Sequence, residues 1–263
     1  MPVKPKLGQN FLNDAQAVQR IIASLGDFSG ETVIEIGPGQ GVLTHALAPR
    51  AGNLIAIELD QKLASQLVSE FSSESLTVVN QDVLDFNFSS VPVKEGKRLA
   101  VVGNLPYYIT SPILLKLAAS HAALDRAVLM MQREVADRVA AESGSRDYGL
   151  LSVTVQMYGP VEKLFTLPPG AFSPPPQVHS TVVRWRFAPR FDSLGVDEAA
   201  FLSFVRQAFA QKRKTLANNL RAAGYTPTTI TQTLNGAGID PQVRAETLSI
   251  DAFVEIWKKL REN

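Results

Sequence analysis

Five short apolar runs, spaced by segments of helical length, constrain this chain more than any other feature. They are TVIEI (32–36), LIAIEL (54–59), LTVVN (76–80), LAVVG (99–103) and RAVLMM (126–131). Each is too short for a helix and almost continuously apolar, the pattern of a parallel strand covered on both faces. Segments such as 61–71 and 112–121 lie between them and suit helices. Strand–helix alternation predicts a doubly wound α/β fold around a mostly parallel sheet. Two later runs, SVTVQMY (152–158) and STVVRWRF (180–187), are separated by a proline-rich loop, LPPGAFSPPP, with no helical segment expected between them. They are expected to pair antiparallel at the edge of that sheet. From about Val196 the pattern changes to amphipathic helices, as at 201–209 and 252–260. The expected organisation is a sheet domain over 1–188 and a small helical domain over 189–263.

The chain has 263 residues, 45% of them hydrophobic and 19% charged. That is enough for a substantial core and is unlike a disordered chain. No apolar run reaches the roughly 18 residues of a membrane span. The opening MPVKPKLGQN lacks the apolar stretch of a secretory signal. A cytoplasmic location away from membranes is expected. The absence of cysteine removes disulfides, thiolate nucleophiles and cysteine-bound metals. The three histidines, His45, His121 and His179, have no ligand-like spacing, so no metal is expected. Basic and acidic residues nearly cancel, 26 against 25, so total charge does not announce a nucleic-acid partner. Only the local cluster Lys212, Arg213, Lys214 and Arg221 stands out.

The first run leads directly into Gly37-Pro38-Gly39-Gln40-Gly41. Glycines after a first strand let backbone approach a ligand and turn sharply into a helix. A tight strand-to-helix turn with no ligand is the competing reading. Dinucleotide binding favours G-x-G-x-x-G, whereas Val42 follows the third glycine of a G-x-G-x-G spacing here. A nucleoside cofactor without a pyrophosphate fits better. Glu58 ends the second run and is placed to accept from both ribose hydroxyls, with Asp60 reserved as the cap of the next helix. Asp82 follows the third run, where a carboxylate suits an adenine amine. A loop-capping aspartate is the alternative.

The fourth run delivers Asn104-Leu105-Pro106-Tyr107 to the same crevice. A buried strand has little reason to end in an amide, a proline and an aromatic unless they face a ligand. Pro106 fixes the turn and biases Leu105 toward an extended conformation, which presents its carbonyl. The Asn104 side-chain oxygen and that carbonyl together match the two hydrogens of an exocyclic amine. Tyr107 offers a flat face to a base, though a core aromatic is its ordinary role.

These segments resemble a known family. Gln9-Asn10-Phe11-Leu12, Glu35 to Gly41, Glu58-Leu59-Asp60, Gln81-Asp82 and Asn104-Leu105-Pro106-Tyr107 stand in the order found in ribosomal RNA adenine N6-dimethyltransferases. Phe172-Ser173-Pro174-Pro175-Pro176 and Gln211-Lys212-Arg213-Lys214-Thr215-Leu216 extend the match along nearly the whole chain. It is closest to the bacterial small-subunit branch. The resemblance implies a Rossmann-like class I methyltransferase sheet and S-adenosyl-L-methionine as cofactor. It also implies dimethylation of two adjacent adenosines near the 3′ end of small-subunit RNA during ribosome assembly. The implied partner is the small-subunit precursor with its rRNA, met by a monomer. Asn10 and Leu12, silent in the residue-level reading, are implied to line the cofactor's amino-acid end.

In such a site Asn104 and the Leu105 carbonyl pull the adenine amine toward tetrahedral geometry and stabilise its developing charge. The base must first leave its stack. Tyr107 holds one face of it, and Phe172 is the candidate for the other, with loop packing as its competing role. If the ring acts by stacking alone, Tyr107→Phe is nearly silent. Lys212, Arg213, Lys214 and Arg221 are expected on RNA phosphates, unless they form an ordinary solvated helix face. Three other readings remain at this stage. One is an NAD-dependent oxidoreductase, which the Val42 spacing and the Asn104 tetrapeptide oppose. The others are a non-catalytic RNA-binding assembly factor and an adenine methyltransferase acting on large-subunit RNA.

Overall fold

The computed structural model describes residues 10–71 and 76–262. They form two compact units, the first drawn from the described residues up to 136 together with 160–187 and the second from 137–159 with 188–262. Among the described residues no helix is long and apolar enough to cross a membrane.

The first unit opens with the short strand β1 (Phe11–Leu12) and helix α1 (Ala15–Ser24). Asp14 caps α1 by accepting from the N–H groups of Gln16 and Ala17. Strands and helices then alternate through β2 (Thr32–Ile36), α2 (Val42–Leu47), β3 (Asn53–Glu58), α3 (Gln61–Glu70) and β4 (Leu76–Asn80). Asp60 caps α3 through the Lys62 and Leu63 N–H groups, as its position suggests. The alternation continues with β5 (Leu99–Asn104), α4 (Thr110–Ala119), β6 (Leu124–Gln132) and α5 (Arg133–Val139). The central strands β2, β3, β5 and β6 are buried along nearly their whole length, which is why their sequences are mostly apolar.

The run 152–158, expected as a strand, is instead helix α6 (Leu150–Met157) in the second unit. Val153, Val155 and Met157 are all buried, so apolar surroundings outweigh the strand preference of β-branched residues. The Ser152 hydroxyl accepts from the Gly149 N–H at 3.0 Å and donates to the Arg138 carbonyl, fixing the first turn. The antiparallel partner at the sheet's end is β7 (Val161–Leu167). It is followed by the short β8 (Phe172–Ser173) and by β9 (Ser180–Arg186).

The main sheet has the order β4-β3-β2-β5-β6-β9-β7. Strands β2 to β6 are mutually parallel, and β9 runs antiparallel to both β6 and β7. The antiparallel strand therefore lies one place in from the edge. From β2 the chain builds outward to β3 and β4, then returns to place β5 on the other side. The crevice at the carboxyl ends of β2 and β5 is thus a topological switch point, the usual ligand position in such sheets. Register pairs Ile36 with Gly103, so Gly37 and Asn104 leave the sheet side by side. A second pairing, Leu12 with Phe172 and Phe11 with Ser173, joins β1 to β8.

The second unit adds α7 (Phe191–Leu194), α8 (Glu198–Ala208), α9 (Leu216–Ala222), α10 (Pro227–Gly236) and α11 (Ile250–Glu262). Phe201, Phe204, Phe253 and Trp257 form its aromatic centre.

Candidate active site

A cleft of about 1040 Å3, open mouth included, lies at the carboxyl ends of β2, β3 and β5. The glycine turn forms its floor. Gly37 and Gly39 have φ of 65° and 58°, a region costly for any residue with a Cβ. A Cβ on Gly39 would also strike the Phe11 ring at 2.9 Å. At Gly37 it would point toward the Asn104 carbonyl, 3.7 Å away, and occupy the space between turn and tetrapeptide.

Glu58, at the end of β3, is buried, with 4% of its surface exposed. Its Oε2 accepts from the Gly39 N–H at 3.0 Å and its Oε1 from the Asp60 N–H at 2.9 Å. Each oxygen keeps a further lone pair for a ligand. Asp82 lies beyond β4, with Oδ1 accepting from the Leu84 N–H at 2.9 Å. Glu35, on β2, also lines the cleft and is 1% exposed. The Thr44 hydroxyl donates to its Oε2 at 2.7 Å, while Oε1 has no hydrogen-bond partner. Burial pushes its carboxyl up to about 7; Thr44 opposes the rise and the neighbouring Glu58 adds to it.

The Asn104 amide is oriented by the N-terminal arm. Its Nδ2 donates to the Asn10 carbonyl at 3.0 Å, which leaves Oδ1 as the acceptor of the amide. The Leu105 N–H donates to the Met130 carbonyl at 2.8 Å, carrying the β5–β6 pairing one residue further. Pro106 has φ of −60° and starts a single tight turn, Tyr107–Ile109, before α4. The Thr110 hydroxyl donates to the Pro106 carbonyl at 3.0 Å and pins that turn. Tyr107 shares a 2.7 Å hydrogen bond with the buried Ser180 hydroxyl. Desolvation raises its phenol pKa, so the phenol stays neutral.

The structure gathers Asn10, Leu12, Gly37, Glu58, Asp82, Asn104, Leu105, Pro106 and Tyr107 around one cleft. Gln9 lies outside the described residues. Phe172 is not among the lining residues: it is 3% exposed, pairs with Leu12 and packs in the core. Its expected place against a base is therefore corrected, because strand pairing with the arm turns it inward. Lys212, Arg213, Lys214 and Arg221 are exposed and belong to the second unit. Their turn is held by the buried Asn219, which donates to the Ala208 and Gln211 carbonyls at 2.7 and 3.3 Å. Residue-level reasoning missed Glu35 and Tyr108. Tyr108 lines the cleft yet is 54% exposed, and its phenol is pushed up by desolvation and by the charges of Asp82 and Glu58. The doubled tyrosine after the proline was the available signal.

A sheet with this order, a glycine turn at its switch point and carboxylates after the next two strands define a class I methyltransferase, which takes its methyl from S-adenosylmethionine. The residues fit that cofactor. Glu58 is a buried double acceptor, and Gly37 leaves open the gap that a side chain would fill.

The family described as ribosomal RNA adenine dimethylase matches residues 2–262. The chain is 56% identical over 260 residues to the ribosomal RNA small subunit methyltransferase A of Acidobacterium capsulatum, covering 98% of this chain and 92% of that protein. A dimethyladenosine transferase from Plasmodium falciparum shares the fold at a TM-score of 0.79 and 24% identity, over 96% of this chain and 98% of that one. The 23S rRNA methyltransferase ErmE aligns at a TM-score of 0.72 and 25% identity, over 96% of this chain and all (100%) of its own. The chain belongs to the ribosomal RNA adenine dimethylase family.

Proposed function

We propose that this protein dimethylates N6 of two adjacent adenosines near the 3′ end of small-subunit ribosomal RNA, acting on precursor subunits in the cytoplasm. The observation that carries the reading is the Asn104 amide, which lines the cleft and whose Nδ2 is held by the Asn10 carbonyl. The high identity to a small-subunit enzyme over nearly the full chain favours that RNA over a large-subunit site.

The bound cofactor supplies an electrophilic methyl carried on a sulfonium. The protein's own work is on the base. Glu58 accepts from the ribose hydroxyls and Asp82 from the adenine amine of the cofactor, while Asn10 and Leu12 flank its amino-acid end. Asn104 Oδ1 and the Leu105 carbonyl accept the two N6 hydrogens of the target adenine. The nitrogen lone pair, otherwise delocalised into the ring, is thereby localised toward the methyl. As the nitrogen becomes positive, these fixed dipoles stabilise it without reorganising. Alignment of the two partners supplies much of the remaining acceleration. The proton leaves to solvent afterwards, and one N–H remains for a second turnover. Tyr107 supports a face of the flipped base, and the basic turn at 212–214 with Arg221 contacts phosphates.

The test is incubation of undermethylated small subunits with labelled S-adenosylmethionine, followed by mapping of modified nucleosides. Dimethyladenosine at two adjacent positions near the 3′ end is expected. Label confined to other positions of that RNA, or none, overturns the reading.

A further inference from the structure

Tyr107 and Ser180 are 73 residues apart, yet their hydroxyls meet at 2.7 Å. Ser180 is the first residue of β9 and is fully buried. Its backbone is registered on both sides, against Gln132 of β6 and Leu167 of β7. Tyr107 stands differently. It is half-buried on a single turn and lines the cleft. The turn's backbone is pinned by Thr110, but that bond leaves the ring free about its own side-chain torsions. A stacking platform needs a fixed ring plane, and a hydrogen bond at the far end of the ring supplies one.

We infer that Ser180 is a positioning residue: its hydroxyl ties the Tyr107 ring to the rigid β6-β9-β7 edge and sets the plane on which the target adenine stacks. The inference rests on the proposed stacking role of Tyr107. It gives the antiparallel part of the sheet a task in catalysis without contact with substrate or cofactor. It also changes the expectation for Tyr107→Phe. Phenylalanine keeps the aromatic face but releases it, and leaves a buried serine hydroxyl without its partner. The desolvated, neutral phenol is consistent with a bond retained across the working pH range.

The experiment is single-turnover methylation of undermethylated small subunits at saturating cofactor. It uses Ser180→Ala, Ser180→Thr, Tyr107→Phe, Tyr107→Ala and the Ser180→Ala/Tyr107→Phe pair. Ser180→Ala and Tyr107→Phe should each slow the step by about tenfold, the scale of one hydrogen bond. The pair should be no slower than either single change, since both remove the same bond. Ser180→Thr, which keeps the hydroxyl, should recover most of the rate. Cofactor affinity by calorimetry should be unchanged throughout, which a general loss of structure would not leave intact. Wild-type rate in Ser180→Ala, or losses that multiply in the pair, overturns the positioning role while a slow Tyr107→Ala keeps the stacking reading. A wild-type rate in Tyr107→Ala overturns both.

Discussion

The Gly39 N–H donates to Glu58 Oε2 at 3.0 Å, so the residue at the end of β3 holds the glycine turn that follows β2. The Asp60 N–H binds the other oxygen at 2.9 Å. One buried carboxylate thus shapes the cleft floor and keeps acceptor capacity for a ligand. Glu58→Gln cannot satisfy both N–H groups, because its amide nitrogen would face one of them donor to donor. Cofactor affinity should fall by roughly 1.5–3 kcal/mol in Glu58→Gln and by at least as much in Glu58→Ala. Calorimetry that finds full affinity in the folded variants removes Glu58 from the cofactor site.

Glu35 gives the fold a pH dependence. Burial raises its carboxyl from 4.5 to about 7. The unfolded chain releases this proton as pH climbs past 4.5, while the folded chain holds it until about 7. The unfolded state therefore binds fewer protons in that window, and stability falls as pH rises through it. The loss reaches roughly 3 kcal/mol above the folded value and then levels off. Glu35→Gln keeps the shape and an acceptor for Thr44 but never ionises. It should gain stability over the parent at about pH 8 and differ little at about pH 4. Urea unfolding at both pH values measures this, and an equal difference at both would mean that Glu35 does not titrate between them.

The strands most readable from sequence are those whose surroundings are uniform. TVIEI begins and ends in the structure where its apolar run does, because a parallel strand covered on both faces needs no alternation, and LTVVN keeps its bounds although β4 is the part-exposed edge strand. The segment 152–158 deceives because Val153, Val155 and Met157 alternate with polar residues as a strand would, while the helix buries all three. Its counterpart β7, VEKLFTL, is half-exposed along most of its length and carries charges, so its pattern is weak. Glu58, Asp82 and Asn104 were legible as cleft residues because each stands at the carboxyl end of an apolar run or just beyond it, the side of an α/β sheet where ligands bind. Phe172 was misplaced because its pairing with Leu12 spans most of the first unit, and nothing local reports it. The Tyr107–Ser180 bond is hidden by the same separation.

The basic turn offers a test confined to the second unit. Lys212, Arg213 and Lys214 are exposed on a turn braced by Asn219, so their charges can change without disturbing the core. Lys212→Glu with Arg213→Glu should weaken binding to small-subunit RNA and leave cofactor affinity alone. The slope of log affinity against log salt should flatten by about 1 for each phosphate that is no longer neutralised. A slope identical to the parent's would make the cluster an ordinary solvated surface.

Asn104 separates chemistry from binding. Asn104→Ala removes an acceptor whose value grows as positive charge develops on N6. The single-turnover rate at saturating cofactor should fall by roughly 10²–10³, the loss typical of one preorganised polar group. RNA affinity should hold, since phosphate contacts dominate it. Asn104→Asp is the sharper variant. It offers the cleft an oxygen of nearly the same shape, so a role limited to accepting hydrogen bonds would tolerate it. The structure gives the other half of the amide a role as well: Nδ2 donates to the Asn10 carbonyl at 3.0 Å. A carboxylate there sets oxygen against oxygen and pushes the arm carrying Asn10 and Leu12 away. Asn104→Asp should therefore be at least as slow as Asn104→Ala and should lose cofactor affinity besides, which calorimetry reads separately from rate. An active Asn104→Ala defeats the amine-gripping mechanism. An active Asn104→Asp with normal cofactor affinity shows that the bond to Asn10 does not orient the amide.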